Sequence, residues 1–147
     1  MEFCQKRFDE LTLEELYAIL RLRADVFVVE QNCPYQDLDD KDQAALHLYL
    51  RNENGIRAYL RIMDRGVSHR CVSIGRVIAV DRRQGLATEL LRRAVCAARE
   101  EFHADQIYLE AQVYAKALYE KLGFRQISDE FLEDGIPHVQ MLLDCGD

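Results

Sequence analysis

The clearest pattern in the sequence is an alternating apolar run followed directly by an amphipathic one. Apolar side chains at Val72, Ile74, Ile78 and Val80, interrupted at Arg76, predict a strand over residues 72–80. Apolar residues then recur at steps of three and four, which predicts a helix lying on a sheet; they are Ala87, Leu90, Leu91, Ala94, Ala98 and Phe102. A central strand therefore leads into a long helix through a short loop.

The segments before this unit predict a strand, a helix and a hairpin. Residues 2–8 favour a short edge strand. Residues 12–28 have helical periodicity, and it begins with a capping box, Thr12-Leu13-Glu14-Glu15. The alternating apolar positions of residues 46–50 and 56–62 predict two paired strands.

The loop of this hairpin can be predicted from register. A three-residue loop, Glu53-Asn54-Gly55, pairs Leu50 with Ala58 and Leu48 with Leu60 on one face. A two-residue loop would instead bring the leucines opposite Tyr59, Arg61 and Met63. We therefore predict the three-residue loop, with its glycine at positive φ.

The segments after the long helix continue the alternation of strands and helices. We predict a strand at residues 107–113, a short helix at 115–122 that ends at Gly123, and strands at 124–127 and 137–143. The long helix between the central strand and the next one implies a parallel crossover. This is the element pattern of an α/β fold.

Length and composition fit a single domain, residues 1–147. The chain is 49% hydrophobic, which is enough for a sizeable core. No apolar run approaches the ~20 residues that span a bilayer and no signal peptide is evident, so we expect a cytoplasmic protein without membrane contacts. Five cysteines without a C-x-x-C pair indicate reduced thiols and no metal site.

The net charge of −7 disfavours a nucleic-acid surface and favours a cationic partner. Part of this charge is concentrated at Asp37, Asp39, Asp40 and Asp42. These residues lack the glycine and the glutamate of an EF-hand calcium loop. Two interpretations remain open: a solvated acidic loop, or an acidic rim that attracts an amine.

The loop before the long helix predicts an anion site. A helix N-terminus has free N–H groups and a favourable dipole, and the small Gly85 and Ala87 allow close approach of a ligand. Arg82 and Arg83 add positive charge. The loop matches neither G-x-x-x-x-G-K-[ST] nor G-x-G-x-x-G, but reads R-x-x-G-x-A. We interpret it as a phosphate or pyrophosphate site.

The string R-x-x-G-x-A at residues 82–87 resembles the acyl-CoA signature of the GCN5-related N-acetyltransferase (GNAT) superfamily. Residues 117–124, ALYEKLGF, resemble its second signature, and residues 26–37, 74–77 and 134–138 resemble the ElaA-like subfamily. The order of predicted elements is also that of this superfamily. The resemblance implies the GNAT acyl-CoA N-acyltransferase fold, a mixed central sheet flanked by helices, with strands splayed around the CoA site.

The resemblance also implies direct transfer of an acetyl group from acetyl-CoA to an amine of a small molecule or peptide. The central strand would bind the pantetheine arm by its backbone, which requires it to splay from residues 107–113. Gly75 marks either a bulge in that strand or a packing position. The expected cofactor-binding residues are Ile78, Ala79, Val80, Arg82, Arg83, Gln84, Gly85, Leu86, Ala87, Thr88 and Tyr119.

Two proton transfers would complete this chemistry. In the superfamily a tyrosine reaches the cofactor sulfur, and Tyr119 matches it as proton donor to the leaving thiolate. The amine must also lose a proton, but residues 71–80 hold no carboxylate of the kind that histone-acetylating relatives carry. We favour His138 or Glu30 as the base; other candidates are Glu110, Glu133, His47 and a water chain.

Two further functions stay open. A catalytically silent CoA-binding regulatory protein would bind CoA without releasing thiol from acetyl-CoA. A nucleotide or phosphoester binder would be competed by ADP as well as by CoA. The sequence fits a monomer or a homodimer, and it does not identify the acceptor.

Overall fold

The computed structural model describes residues 1–81 and 85–146. Within them, eight strands form one mixed sheet in the order β1-β2-β3-β4-β5-β8-β6, with β7 paired to β8. The strands are β1 (Glu2–Arg7), β2 (Leu46–Asn52), β3 (Gly55–Met63), β4 (Val72–Ala79), β5 (Gln106–Gln112), β6 (Arg125–Gln126), β7 (Phe131–Glu133) and β8 (Ile136–Asp144). The pair β4 and β5 is parallel, as predicted.

The three α-helices of the described residues are α1 (Leu13–Arg23), α2 (Leu86–Phe102) and α3 (Lys116–Lys121). Helix α1 continues as a π-helix over Ala24–Glu30, and short 3-10 turns occupy Phe8–Glu10, Asp42–Ala44 and Val113–Ala115. The predicted capping box of α1 is confirmed, because the Glu15 amide donates to Thr12 Oγ1 at 3.1 Å. None of these helices has the length and apolarity needed to cross a membrane.

Two helices cover the two faces of the sheet. Helix α2 buries its apolar stripe against β2, β3 and β4, and Leu90 and Leu91 are fully enclosed there. On the opposite face, α1 packs Ile19 against Tyr49 and Tyr59. The central strands are thus fixed from both sides, and β4 is held between helix α2 and the segment that follows α1.

The predicted hairpin register is confirmed, but its predicted loop is wrong. Leu50 pairs with Ala58 and Leu48 with Leu60, as expected. The pairing then shifts, so that Arg51 opposes Ile56 and Asn52 opposes Gly55. A β-bulge absorbs the extra residue, and a two-residue turn closes the strands with Gly55 at φ 104°.

The C-terminal part contains a hairpin that the sequence pattern does not indicate. Strand β7 pairs with β8 around Asp134-Gly135, whose φ angles are 51° and 77°. The short β7 has too few residues to show alternation. Its pairing brings Phe131 opposite His138.

Candidate functional site

Strands β4 and β5 separate after two residue pairs. Val72 pairs with Ile107 and Ser73 with Tyr108, and no later pair joins these two fully described strands. Beyond this point β4 is bonded to β3, while β5 is bonded to β8. The predicted splay is therefore present, and it leaves one edge of β4 open to a ligand.

A β-bulge in β4 accompanies the separation. Tyr59 pairs with Ile78 but Arg61 pairs with Gly75, so β4 holds one residue more than β3 across this interval. The residue with left-handed backbone is Arg76, at φ 55°, and not Gly75. Within the described part of the chain, a Cβ at Gly75 would meet no heavy atom within 4 Å, which argues against a packing role. The bulge prediction is confirmed, one residue further along.

A salt bridge holds the bulged residue. Arg76 Nε donates to Asp37 Oδ1 at 2.7 Å, and Arg76 Nη2 donates to the Asp37 carbonyl at 3.0 Å. Tyr35 donates its hydroxyl to the same carboxylate oxygen at 2.7 Å. The loop after the π-helix thus fixes the unusual backbone of β4 by direct contacts.

The acidic loop residues form a buried network with arginines. Asp42 accepts from Arg23 at 2.6 Å and from Arg61 at 2.8 Å, and both arginines are almost fully buried. Asp39 pairs with Arg61 as well, which together with Arg76 holds the pKa of Asp39 well below its usual range despite burial. Both sequence interpretations of Asp37, Asp39 and Asp42 are wrong, because these carboxylates neutralise internal arginines.

The N-terminus of α2 borders the open edge of β4. Gly85 precedes the helix with φ 68°, a conformation that favours glycine. The Glu89 amide donates to the Gly85 carbonyl at 3.1 Å, while the first-turn amides of residues 86–88 have no partner within the helix. Leu86 places its side chain in the core, so only its backbone faces the loop. Arg82, Arg83 and Gln84 lie outside the described residues.

The backbone of β4 offers fewer free groups than expected. The Val80 amide donates to the Arg57 carbonyl at 2.8 Å, so the expectation of a free N–H at Val80 is wrong. Because successive residues of a strand direct their polar groups to opposite edges, the N–H and C=O of Ala79 point to the open side. Ala79 is thus the best-placed of the three predicted strand residues.

A cleft of about 1490 Å³ occupies the gap between the separated strands. It extends from Gly85, Ala87 and Thr88 at the start of α2, past Ala79, to the β7–β8 hairpin. Tyr119, His138 and Glu30 all line it, so residues from three distant elements meet in one place. Its volume exceeds the ~300–1,000 Å³ typical of a pocket for one small molecule, which leaves space for two substrates.

Tyr119 forms part of the wall near α2. It is 7% exposed, and its ring meets Phe124 edge to face with centroids 6.0 Å apart. Burial, with the nearby Tyr114, raises the pKa of the Tyr119 phenol. The hydroxyl therefore stays protonated in the physiological range and is able to donate a hydrogen bond.

His138 lies at the other end of the cleft. Its Nδ1 is 2.7 Å from the Ile136 carbonyl. A carbonyl oxygen only accepts, so Nδ1 carries the hydrogen and Nε2 of the neutral ring is a free acceptor. Nε2 lies 3.8 Å from Glu133 Oε2, and Phe131 stacks on the ring. Glu30, at the end of the π-helix, is exposed to solvent and lines the same cleft.

Several cleft residues were not singled out by the sequence. Tyr108 is stacked on His69 with ring centroids 3.6 Å apart and donates its hydroxyl to Glu110 Oε2 at 2.7 Å. Ser73 is buried beside them. The alternation of β5 places Tyr108 and Glu110 on one face of the sheet, and both residues line the cleft. His47, a minor candidate base, is buried and donates from Nε2 to the Asp42 carbonyl at 2.9 Å, which gives it a structural role.

Comparison with known proteins identifies close relatives. The UPF0039 protein C11D3.02c of Schizosaccharomyces pombe is 42% identical over 98% of this chain and 97% of its own length. Protein ElaA of Escherichia coli is 34% identical over 96% of this chain and 95% of its own length.

Solved structures agree with the fold. The crystal structure of Escherichia coli ElaA has a TM-score of 0.91 and 33% identity, and covers 97% of this chain and 99% of its own. An acyl-CoA N-acyltransferase from Pseudomonas aeruginosa has a TM-score of 0.90 and 39% identity, with the same coverage. The predicted fold class and the ElaA-like resemblance are confirmed.

The model of the acetyltransferase (GNAT) domain family matches residues 12–145, nearly the whole chain. Together with the splayed strands and the free helix N-terminus beside them, this match shows that the chain belongs to the GNAT acetyltransferase family.

Proposed function

We propose that this protein transfers an acetyl group from acetyl-CoA directly to an amine of a small molecule or peptide. The single observation that carries the proposal is the opening between β4 and β5 beside the N-terminus of α2. An extended ligand adds to an open strand edge by backbone hydrogen bonds, and a diphosphate binds helix amides. Acyl-CoA joins both features in one molecule.

The donor would be held by backbone groups at two points. The amides of residues 86–88 would bind the diphosphate, with Arg82, Arg83 and Gln84 proposed to contribute from the same loop. Ala79, with its neighbours Ile78 and Val80, would border the pantetheine arm. Glycine at residue 85 allows the positive φ from which the helix starts.

Tyr119 would assist the departure of the thiolate. A thiol has a reference pKa of ~8.5, so its anion leaves more readily when a proton donor is near. Burial keeps the Tyr119 phenol protonated by raising its pKa, and Tyr119 is one of the residues that line the cleft. Its proton would pass to the sulfur as the C–S bond breaks, and solvent would then restore the phenol.

The acceptor would enter from the end formed by the β7–β8 hairpin and the π-helix. An aliphatic amine is mostly protonated at pH 7, since its reference pKa is ~10.4, and it must lose a proton before it attacks the carbonyl carbon. His138 Nε2 is the favoured acceptor of that proton because its tautomer leaves a lone pair free. Glu30, which lines the same cleft, is the alternative base.

Most of the rate would come from positioning. A thioester is already activated, and holding an amine against it supplies on the order of 7 kcal/mol of barrier reduction. The proposed transfer forms one C–N bond and breaks one C–S bond without a covalent enzyme intermediate.

The test is a thiol-release assay with acetyl-CoA and a library of amines, combined with CoA titration by calorimetry. Release of CoA that depends on an amine, with the acetylated amine identified by mass spectrometry, supports the proposal. Tight CoA binding without release for any amine indicates a regulatory CoA-binding protein. Equal competition by ADP and CoA indicates a phosphate-anchored nucleotide binder.

A further inference from the structure

One wall of the cleft carries two carboxylates that have no lysine or arginine partner among the described residues. Glu110 lies on β5 and Glu133 at the end of β7; burial and the charge of Glu110 raise the pKa of Glu133. Within residues 1–81 and 85–146, neither forms an ion pair with a lysine or arginine. Asp37 and Asp42, in contrast, each contact two arginines. The basic group next to the pair is His138, whose Nε2 lies 3.8 Å from Glu133 Oε2. No lysine or arginine of the described residues balances the negative charge at this end of the cleft, and a cation would relieve it.

A second feature points to the same place. Ser73 pairs with Tyr108 across the start of β4 and β5, so its side chain lies on the sheet face that also carries Glu110. Ser73 is 4% exposed and lines the cleft, and its Oγ has no hydrogen-bond partner within the described part of the chain. A buried hydroxyl without a partner is costly unless a ligand or a water molecule satisfies it.

Tyr108 forms the floor between these groups. Its ring is 6% exposed and stacks on His69, while its hydroxyl donates to Glu110. This contact fixes the orientation of the Glu110 carboxylate. Gln140 hydrogen-bonds to the phenol oxygen, which has a second lone pair for a ligand donor. The site thus combines hydrogen-bond acceptors with a rigid aromatic surface.

We propose that Glu110 and Glu133, together with the hydroxyls of Tyr108 and Ser73, bind the ammonium group of the acceptor. The proposal rests on the proposed function, because it assigns the acceptor side of that same cleft. An ammonium group has three N–H donors and no acceptor, which matches this set of acceptor oxygens. From here the amine would pass its proton toward Glu133 and His138, which are neighbours.

The charge of the site defines the substrate class. An alkyl amine or a lysine-like side chain brings only a positive charge to the two carboxylates. The α-amino group of a free amino acid would bring the carboxylate of the same molecule within a few ångströms of Glu110 and Glu133, and like charges repel. The acceptors are therefore amines without an acidic group next to the nitrogen, and free α-amino acids are excluded.

The experiment is an NMR chemical-shift titration of the full chain, first saturated with CoA, with n-butylamine and with L-norvaline. These probes have the same alkyl chain and differ by the α-carboxylate. We expect n-butylamine to bind at least about tenfold more tightly, and the double variant Glu110→Gln/Glu133→Gln to lose at least about tenfold in that affinity. Glu53→Gln, in the exposed β2–β3 turn, is the matched control and should bind as the wild type does.

Each outcome decides the proposal. Equal affinities for the two probes, or unchanged n-butylamine affinity in the double variant, overturn the ammonium site while leaving CoA binding intact. Absence of CoA saturation in the first step overturns the proposed function itself. If the double variant does not fold, the single variant Glu133→Gln replaces it, because Glu133 is half-exposed. The comparison of the two probes on the wild-type protein needs no variant at all.

Discussion

Tyr119 shows how burial prepares a single residue for its proposed task. Burial raises the pKa of the Tyr119 phenol, so the phenol still carries its proton in the physiological pH range, in which the CoA thiolate would leave. Tyr119→Phe removes the proton and keeps the ring packed on Phe124. We expect kcat to fall by about 10²-fold with CoA affinity unchanged, as measured by thiol release and calorimetry.

The control for this substitution is Tyr17→Phe, which changes a 72% exposed tyrosine on α1 and should leave kcat unchanged. Full activity of Tyr119→Phe would mean that the ring only packs against the core and that the thiolate leaves without this donor.

Gly85 is important for CoA binding because of its backbone conformation and its place beside the first-turn amides of α2. A Cβ there would meet no heavy atom of the described residues within 4 Å, and the constraint that the structure shows is the φ of 68°. Gly85→Glu adds a negative charge beside the amides of the first turn, and a like charge at about 4 Å costs on the order of 4 kcal/mol near a protein surface. Calorimetric titration should give a CoA Kd raised at least about 100-fold.

Gly85→Asn is the matched control, because asparagine tolerates the left-handed conformation and carries no charge. It should keep CoA affinity within a few-fold of the wild type. Equal affinities of the glutamate and asparagine variants would place the diphosphate elsewhere.

At the scale of elements, the bulge of β4 depends on a loop far away in sequence. Asp37 lies 39 residues before Arg76, yet two hydrogen bonds join them, and Arg23 holds the same aspartate from α1. Arg76→Ala leaves Asp37 with one arginine and puts alanine at positive φ. Urea unfolding should show a loss of about 1–3 kcal/mol, together with a lower kcat/KM.

A second arginine, in an exposed ion pair, tests whether the loss of stability expected for Arg76→Ala comes from burial. Arg125 pairs with Asp144, and both side chains are more than half exposed. Arg125→Ala should change stability by less than about 0.5 kcal/mol. Similar losses of unfolding free energy for the two variants would show that the Arg76–Asp37 contact stabilises the bulge no more than an exposed ion pair would.

The same elements show what a sequence can and cannot predict here. The register of Leu50 against Ala58 follows from apolar alternation, because a slip would expose one face. The two-residue turn does not follow from this alternation, because the β-bulge that compensates for the shorter loop leaves the apolar pattern unchanged. Strand β7 is too short to show a period, and the loop that carries Arg82 and Arg83 lies outside the described residues.

The buried charges explain the largest error. Arg23, Arg61 and Asp42 look like solvent-facing positions in a local pattern, because polar residues normally alternate toward water. Their partners lie 14 or more residues away along the chain, and no local period encodes such a contact. Tyr119 and His138, in contrast, come from phrases that resemble family motifs, and the fold brings both to the cleft.

The stability of the whole molecule is expected to depend on pH for a reason unrelated to catalysis. Burial alone would raise the Glu15 pKa, but hydrogen bonds from Lys6, the Thr12 amide and Tyr49 outweigh it and lower the value to about 2. A carboxyl group with a depressed native pKa stabilises the fold above its unfolded pKa near ~4.5, and this contribution is lost as the pH falls toward 2.

Urea unfolding at pH 5 and pH 3 measures this effect. Wild-type stability should fall more steeply than that of Glu15→Gln, by about 1–2 kcal/mol over this interval, because the variant has no proton to gain at residue 15. Glu14→Gln, an exposed neighbour, should follow the wild type. Parallel pH curves for wild type and Glu15→Gln would contradict the assigned shift.

A crystal structure of the complex with CoA would show where the donor binds. We expect the diphosphate on the amides of residues 86–88 and the pantetheine arm hydrogen-bonded to Ala79 in the gap between β4 and β5. Coenzyme A bound elsewhere, or β5 paired with β4 along its whole length, would contradict this expectation.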